Sequence, residues 1–241
     1  MKFGKRLKQQ IEETLPQWRD KFLSYKDLKK LVRLISTCPP SGTAADAEFV
    51  RLLDSEIHKL NSFFVEQEED FVIRRKELQE RIRKAMETHG ADMANITKEI
   101  VNFHGEMVLL VNYSSINYTG LAKILKKYDK RTGALLRLPF IAKVLKQPFF
   151  TTELVSKLVK DCETMMDAIH SEREASPARV GRESAGAAEQ SIIRNTVAAL
   201  ATMEELRKGS STYGHFSLPP LDPKEHDDIL RSLRPLASII I

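Results

Sequence analysis

The sequence predicts an all-α protein: a helical bundle with two long antiparallel core helices, an N-terminal helical hairpin and a C-terminal helix. Leu, Lys, Glu, Arg, Met and Ala fill long Pro-free stretches while aromatic residues make up only 7% of the chain, a composition that favours helix over strand. From Ala45 to Glu87 there is neither Pro nor Gly. Apolar residues in these stretches recur at three- and four-residue spacing and rarely alternate.

Taken in order, Phe3, Leu7 and Ile11 stand at four-residue spacing and predict a short amphipathic helix over residues 2–14, stopped near Pro16. A second helix is expected from Trp18, with Leu28, Leu31, Val32 and Ile35 as its buried stripe. Tyr25 and Lys29 lie one turn apart on its flank, with Lys26 and Lys30 further round. Pro39, Pro40 and Gly42 mark the loop after it. Residues 45–87 follow as one long helix or a helix with a break, with Phe49, Leu53, Leu60, Phe64, Phe71 and Leu78 at helical spacing. Such a helix requires a comparable partner, which residues 92–112 provide after the turn at His89-Gly90, through Ile96, Ile100, Phe103 and Met107. Glu66, Glu68, Glu69 and Asp70 form an acidic collar midway along the pair.

Asn112-Tyr113-Ser114-Ser115 is expected to open a further helix, with Ser114, Ser115 or Asn117 as N-cap and Gly133 at its end. Pro139 and Pro148 bracket a short apolar piece, Phe140 to Leu145. A helix from Thr151 to His170 is expected to bury Leu154, Leu158, Cys162, Met165 and Ile169. Residues 171–190 then lose the apolar pattern and read as a flexible linker closing a main domain of residues 1–170. Residues 191–241 contain one amphipathic stretch, Ile192 to Leu206, carrying Ile193, Val197, Leu200 and Met203, and a Pro-containing tail in which little fixed structure is expected. One such helix cannot bury its own face, so it returns to the bundle or binds a partner.

Composition limits the function. The net charge of +5 is modest; its position matters more than its size. Residues 1–30 hold Lys2, Lys5, Arg6, Lys8, Arg19, Lys21, Lys26, Lys29 and Lys30 against Glu12, Glu13, Asp20 and Asp27. Cys38 and Cys162 are far apart and lie in no CxxC or His-paired motif, as expected of a reduced protein of the nucleus or cytoplasm. No run of residues approaches the ~18–20 apolar residues that span a bilayer. The sequence has no P-loop, GxGxxG, GxSxG or HExxH pattern, and its six histidines are scattered. No enzyme, cofactor or metal site is expected.

The stretch Leu121 to Lys130, LAKILKKYDK, carries the chemistry. Lys123, Lys126, Lys127 and Lys130 fall at i, i+3, i+4 and i+7, within an arc of about 100°, while Leu121, Ile124, Leu125 and Tyr128 share another face. Like charges one turn apart repel by a few tenths of a kcal/mol per pair. The same pattern also describes a solvated basic face. If the N-terminal hairpin packs beside this helix, Lys2, Tyr25, Lys29 and Lys30 face the four lysines across a shallow groove. Lysine is a compact charge with rotatable donors, suited to a ligand carrying phosphates at several angles. Binding there would weaken steeply with salt.

The opening MKFGKRLKQQIEETLPQWRDKFLSYKDLKKLV and the segment VNFHGEMVLLVNYSSINYTGLAKILKKYDKRTG closely resemble an SPX domain, over residues 1 to about 165. NTVAALATMEELRKGSSTYGHFSLPPL resembles the C-terminal part of the stand-alone plant SPX proteins. The resemblance implies a helical bundle that binds inositol polyphosphates and pyrophosphates. It implies a phosphate-binding cluster of Tyr25, Lys29 and a lysine of the KILKKYDK helix, within a lysine surface of Lys2, Lys30 and the remaining helix lysines. It does not divide Lys123, Lys126, Lys127 and Lys130 between the two sets; Lys127 and Lys130 are the foremost candidates. It further implies that the ligand-bound protein associates with MYB-type phosphate-starvation-response transcription factors and keeps them from DNA, without itself contacting nucleic acid. The residues leave open two other readings: a basic helical module on anionic membrane lipid, and a purely structural interaction protein. Long helices and a detached C-terminal helix also leave homodimerisation open.

Overall fold

The computed structural model describes residues 2–36, 44–88, 93–175, 187–208 and 218. It is an all-α bundle of α1 (Phe3–Glu12), α2 (Tyr25–Ile35), α3 (Ala44–Thr88), α4 (Met93–Thr132), α5 (Arg137–Val144), α6 (Glu153–Ala175) and α7 (Ala187–Lys208), with 3-10 turns at Pro16–Lys21 and Pro148–Phe150. The described residues fall into two compact units. The first lies within Met1–Glu66, Tyr113–Thr152 and Glu205–Pro219, the second within Gln67–Asn112, Glu153–Glu204 and Pro220–Ile241.

In the first unit α3 and α4 run antiparallel. Phe49 stacks on Tyr128 with centroids 4.6 Å apart, and Phe63 meets Tyr113 at 5.0 Å. The Tyr128 hydroxyl donates to Asp46 at 2.7 Å, and burial pushes it up to about 12. The second helix does not begin at Trp18. A 3-10 turn and an extended segment come first because Trp18, Phe22 and Leu23 are all buried, and adjacent inward residues such as Phe22 and Leu23 do not share one helical stripe. In α2, Leu28, Val32 and Ile35 are buried as expected, and Leu31 is half-buried.

The largest departure lies at Asn112 to Asn117, where no helix begins: α4 runs unbroken from Met93 to Thr132. Asn112, Ser114, Ser115 and Asn117 are buried. Asn117 Oδ1 accepts from Leu23 N–H at 2.9 Å, its Nδ2 donates to the Tyr113 carbonyl at 2.8 Å, and the Tyr113 hydroxyl donates to the Lys21 carbonyl at 3.0 Å. Of the side chains expected to cap a helix, Asn117 instead fastens the chain entering α2, whose extended backbone needs partners, and Tyr113 helps it. Gly120 permits the same approach: a Cβ there would lie 2.6 Å from Leu23 Cδ2 and 3.4 Å from the Phe3 ring. Glu56, buried on α3, accepts from Ser24 N–H at 2.7 Å at the start of α2.

At the far end, α4 stops at Gly133, whose φ is +73° and whose N–H donates to the Asp129 carbonyl at 2.9 Å. The Asp129 carboxylate receives the N–H groups of Leu136 and Arg137 at 3.0 and 3.1 Å and so caps α5. Pro139 does not bracket that helix but sits in its first turn, where its missing N–H has no intrahelical partner to lose.

In the second unit α3 and α4 are also antiparallel, joined by Phe71 against Phe103 at 5.6 Å and by ion pairs from Arg74 to Glu106 and Arg81 to Glu99. Helix α6 starts at Glu153, and its stripe is Val155, Leu158, Val159, Cys162, Met166 and Ile169; Met165 is only half-buried and Leu154 is exposed. Burial holds the Cys162 thiol up at about 12, a poorly nucleophilic state. The C-terminal helix returns to the bundle. Ile192, Thr196, Ala199, Leu200 and Met203 are buried, and Gly105 of α4 lies so close that a Cβ there would stand 2.9 Å from Thr196 Oγ1. Residues 37–43, 89–92, 176–186, 209–217 and 219–241 lie outside the described residues, and with them the Pro39-Pro40 loop, the His89-Gly90 turn, most of the expected linker and the tail.

Candidate polyanion site

The site is built from α1, α2 and the last third of α4, all in the first unit. On α4 the two faces divide as the periodicity requires. Leu121, Ile124, Leu125 and Tyr128 are buried, Lys123, Lys126 and Lys130 are exposed, and Lys127 is half-buried. On α2 Tyr25 and Lys29 are half-buried at the edge of the packed face, and Lys26 and Lys30 are exposed.

Two ladders of four-residue steps lie side by side. Tyr25, Lys29 and Arg33 step along α2, and Lys123, Lys127 and Arg131 step along α4 in the same direction. Phe3 of α1 joins the first rungs: its ring lies edge-on to Tyr25 at 5.0 Å and beneath the Lys123 ammonium at 5.7 Å. At the last rung Arg131 donates to Ser36 Oγ at 3.3 Å.

The electrostatics carry the same signature. Burial, followed by the charges of Lys29, Arg131 and Arg33, holds the Lys127 ammonium below its ordinary range. Burial, then Lys126 and Arg6, does the same to Lys123. Burial raises the Tyr25 hydroxyl, which keeps it a neutral donor at neutral pH. Lys29, Arg33, Lys123, Lys126, Lys127 and Lys130 make no ion pair among the described residues. Lys30 differs, since it pairs with Asp27 at 3.0 Å on the outer side of α2. Lys2 is exposed at the start of α1.

Arg6, Arg33 and Arg131 belong to this surface and are absent from the residues expected of it. For Arg33 and Arg131 the signal was in the sequence: each stands four residues beyond a candidate lysine, Lys29 or Lys127. Within this surface Lys29, Arg33, Lys123, Lys126, Lys127 and Lys130, crowded together with no carboxylate paired to any of them among the described residues, can neutralise and orient a compact polyanion, with fixed spacing along both ladders. Among the described residues no group of three or more His, Cys, Asp or Glu side chains could hold a metal ion, and no helix is long and apolar enough to cross a membrane.

An all-α bundle with a largely unpaired cationic face places the protein among helical modules whose chemistry suits an anionic ligand. The comparisons with known proteins make the class specific: the SPX domain matches residues 1–41 and 89–144, and the chain belongs to the plant SPX domain-containing proteins. It is 59% identical to SPX domain-containing protein 3 of Oryza sativa subsp. japonica, over 97% of this chain and 93% of that one. It is 57% identical to SPX domain-containing protein 3 of Arabidopsis thaliana, over 97% and 96%. The fold is also similar to the SPX domain of Chaetomium thermophilum glycerophosphodiester phosphodiesterase 1, a structure solved in complex with inositol hexakisphosphate. There the TM-score is 0.61 and the identity 26%, over 70% of this chain and 99% of that one. The SPX domain is a regulatory, non-catalytic fold.

Proposed function

We propose that this protein is a sensor of inositol polyphosphate or pyrophosphate. With ligand bound, it associates with and inhibits MYB-type phosphate-starvation-response transcription factors in the nucleus and/or cytoplasm, and so regulates phosphate homeostasis. Residues 1–170 act as the sensing SPX domain and residues 191–241 as its C-terminal appendage. Tyr25, Lys29 and Lys127 grip phosphate at the centre of the two ladders, and Lys2, Lys30, Lys123, Lys126 and Lys130 form the surrounding basic surface. One observation carries the reading: Lys29 and Lys127 converge without a carboxylate, in a fold shared with an SPX domain solved with inositol hexakisphosphate.

The mechanism follows from the repulsion. A polyphosphate neutralises the crowded ammonium groups and holds α1 and α2 against α4, completing a surface that the transcription factor recognises. Linkage then requires the partner to raise ligand affinity by the factor that the ligand raises partner affinity. Calorimetric titration with inositol hexakisphosphate and with a pyrophosphorylated inositol at near-physiological salt tests the ligand step. Binding by the wild type and its loss in a folded Lys29→Ala, Lys127→Ala, Lys130→Ala variant is the expected result. Equal binding by the two proteins contradicts it. Repeating the titration with a MYB partner present tests the coupling, and unchanged ligand affinity sinks it.

A further inference from the structure

Arg6 has a different relation to solvent from the other cations of this surface. It stands three residues after Phe3 in α1, a spacing that puts both on one face of the helix, and the Phe3 ring lies beneath the Lys123 ammonium. Arg6 is therefore a neighbour of the basic face. Its side chain is 12% exposed, and its Nε is buried with no hydrogen-bond partner among the described residues. A guanidinium so far removed from water, beside other cations, requires an anion.

The anion it has is Glu205. This carboxylate, in the last turn of α7, accepts from Arg6 Nη2 while its own side chain stays 57% exposed. The pair is lopsided. Arg6 is confined by packing, whereas Glu205 reaches it from the solvent side and regains full hydration if it swings away. Lys29, Lys123 and Lys127 have no such partner among the described residues. Within the basic surface, Arg6 alone of these is already satisfied by the protein's own carboxylate.

We propose that Arg6 is a further phosphate-binding residue of this surface and that Glu205 is its resident counter-ion, displaced when a polyphosphate binds. The proposal rests on the polyphosphate reading and adds to it Arg6, which is not among the residues expected of the site from sequence. Phosphate and carboxylate compete for the same fork of donors, and phosphate brings the greater charge. Glu205 thereby acts as a threshold. It lowers the apparent affinity by the strength of one exposed ion pair, and weak anions that cannot outcompete it are kept off Arg6. Ligand binding frees the last turn of α7 from α1, so occupancy of the site changes what the C-terminal helix presents.

The test is a four-protein cycle on the full chain, titrated with inositol hexakisphosphate: wild type, Glu205→Gln, Arg6→Gln and the double variant, with helix content checked by circular dichroism. Glu205→Gln is expected to tighten binding about two- to five-fold, the range of an exposed ion pair. Arg6→Gln is expected to weaken it roughly ten-fold, as for the loss of one charge-assisted contact. In the Arg6→Gln background Glu205→Gln then has no effect. Should Arg6→Gln lose helix content, Arg6→Met, which keeps the aliphatic stem packed, replaces it in the cycle. Equal affinities of wild type and Glu205→Gln overturn the proposal. So does a tightening that survives without Arg6, because Glu205 would then act only through its general field. A wild type that does not bind at all refutes the polyphosphate reading itself, a result distinct from wild-type binding unaffected by Glu205.

Discussion

In the second unit, three arginines of α3 meet carboxylates on neighbouring helices: Arg74 pairs with Glu106, Arg75 with Asp161 at 2.9 Å and Arg81 with Glu99. In the first unit, further along the same α4, Lys123, Lys126, Lys127 and Lys130 gather beside Lys29 and Arg33 with no carboxylate paired to any of them among the described residues. The second unit's arrangement binds helix to helix. These six cations join no helix to another through an ion pair; what supports them is a separate set of contacts made by Asn117, Tyr113, Phe3 and Gly120. Burial and mutual repulsion lower the Lys123 and Lys127 pKa values, so these charges are a cost that an incoming anion relieves. Matched charge marks structure here, and unmatched charge on a rigid support marks the candidate binding face.

The sharpest way to break this contrast is to remove the support and leave the charges. Asn117→Ala deletes the acceptor of the buried Leu23 N–H and should cost about 2 kcal/mol, within the ~1–3 kcal/mol range for an orphaned buried donor. It should also weaken polyphosphate binding although every lysine remains, because α2 is no longer fastened to α4. Chemical denaturation with a parallel titration checks both. Unchanged affinity in the folded variant would mean that the ladders do not depend on their anchor.

A smaller effect is expected with pH. The folded-state pKa of Lys127 lies below its ordinary 10.5, so between those two values the unfolded chain holds more protons than the folded one. Stability from this group therefore rises with pH across that window and is absent below it. Polyphosphate affinity moves the other way. It should fall across the same window by roughly ten-fold per ammonium lost from a phosphate contact, and the fall should be reduced in Lys127→Met. An identical pH profile in the two proteins would remove Lys127 from the site.

The smallest change belongs to the matched side. Glu106→Gln breaks a half-buried pair with Arg74 and is expected to lower stability by about 1 kcal/mol. Polyphosphate affinity should stay as it was, and a several-fold change in calorimetry would show that the second unit's pairs also shape the site.

Much of the fold was legible because its signal is local. The lysine helix shows its buried face through Leu121, Ile124, Leu125 and Tyr128 at helical spacing, and each is buried. The long helix α3 shows itself by its length without Pro or Gly. What escaped reading depends on partners far away in sequence. Asn117 looks like a helix cap because the same side chain suits a cap or a buried acceptor, and only the Leu23 N–H, 94 residues away, decides between them. The region before α2 carries apolar residues enough for a helix, yet Phe22 and Leu23 both point inward, and the acceptor that makes an extended chain tolerable lies on α4. Arg33 and Arg131 were within reach of the four-residue steps, but a reading centred on lysine passed them over. Glu205 and Arg6 are separated by 199 residues, and no periodicity links them. The candidate lysines were visible as a pattern and through the family resemblance; that Lys29, Lys123, Lys126, Lys127 and Lys130 have no paired carboxylate among the described residues is a property of the folded protein.

The measurement that goes furthest is the melting temperature of the wild type and of the Lys29→Ala, Lys127→Ala, Lys130→Ala variant, each with and without inositol hexakisphosphate. Saturation at about 100 times Kd adds about 2.7 kcal/mol, or roughly 5–10 °C for a chain of this size. The account predicts that shift in the wild type, none in the variant, and a ligand-free variant at least as stable as the wild type. A ligand-free variant that melts well below the wild type, or one that gains the same shift with ligand, would contradict the claim that these cations are held unmatched for an external polyanion.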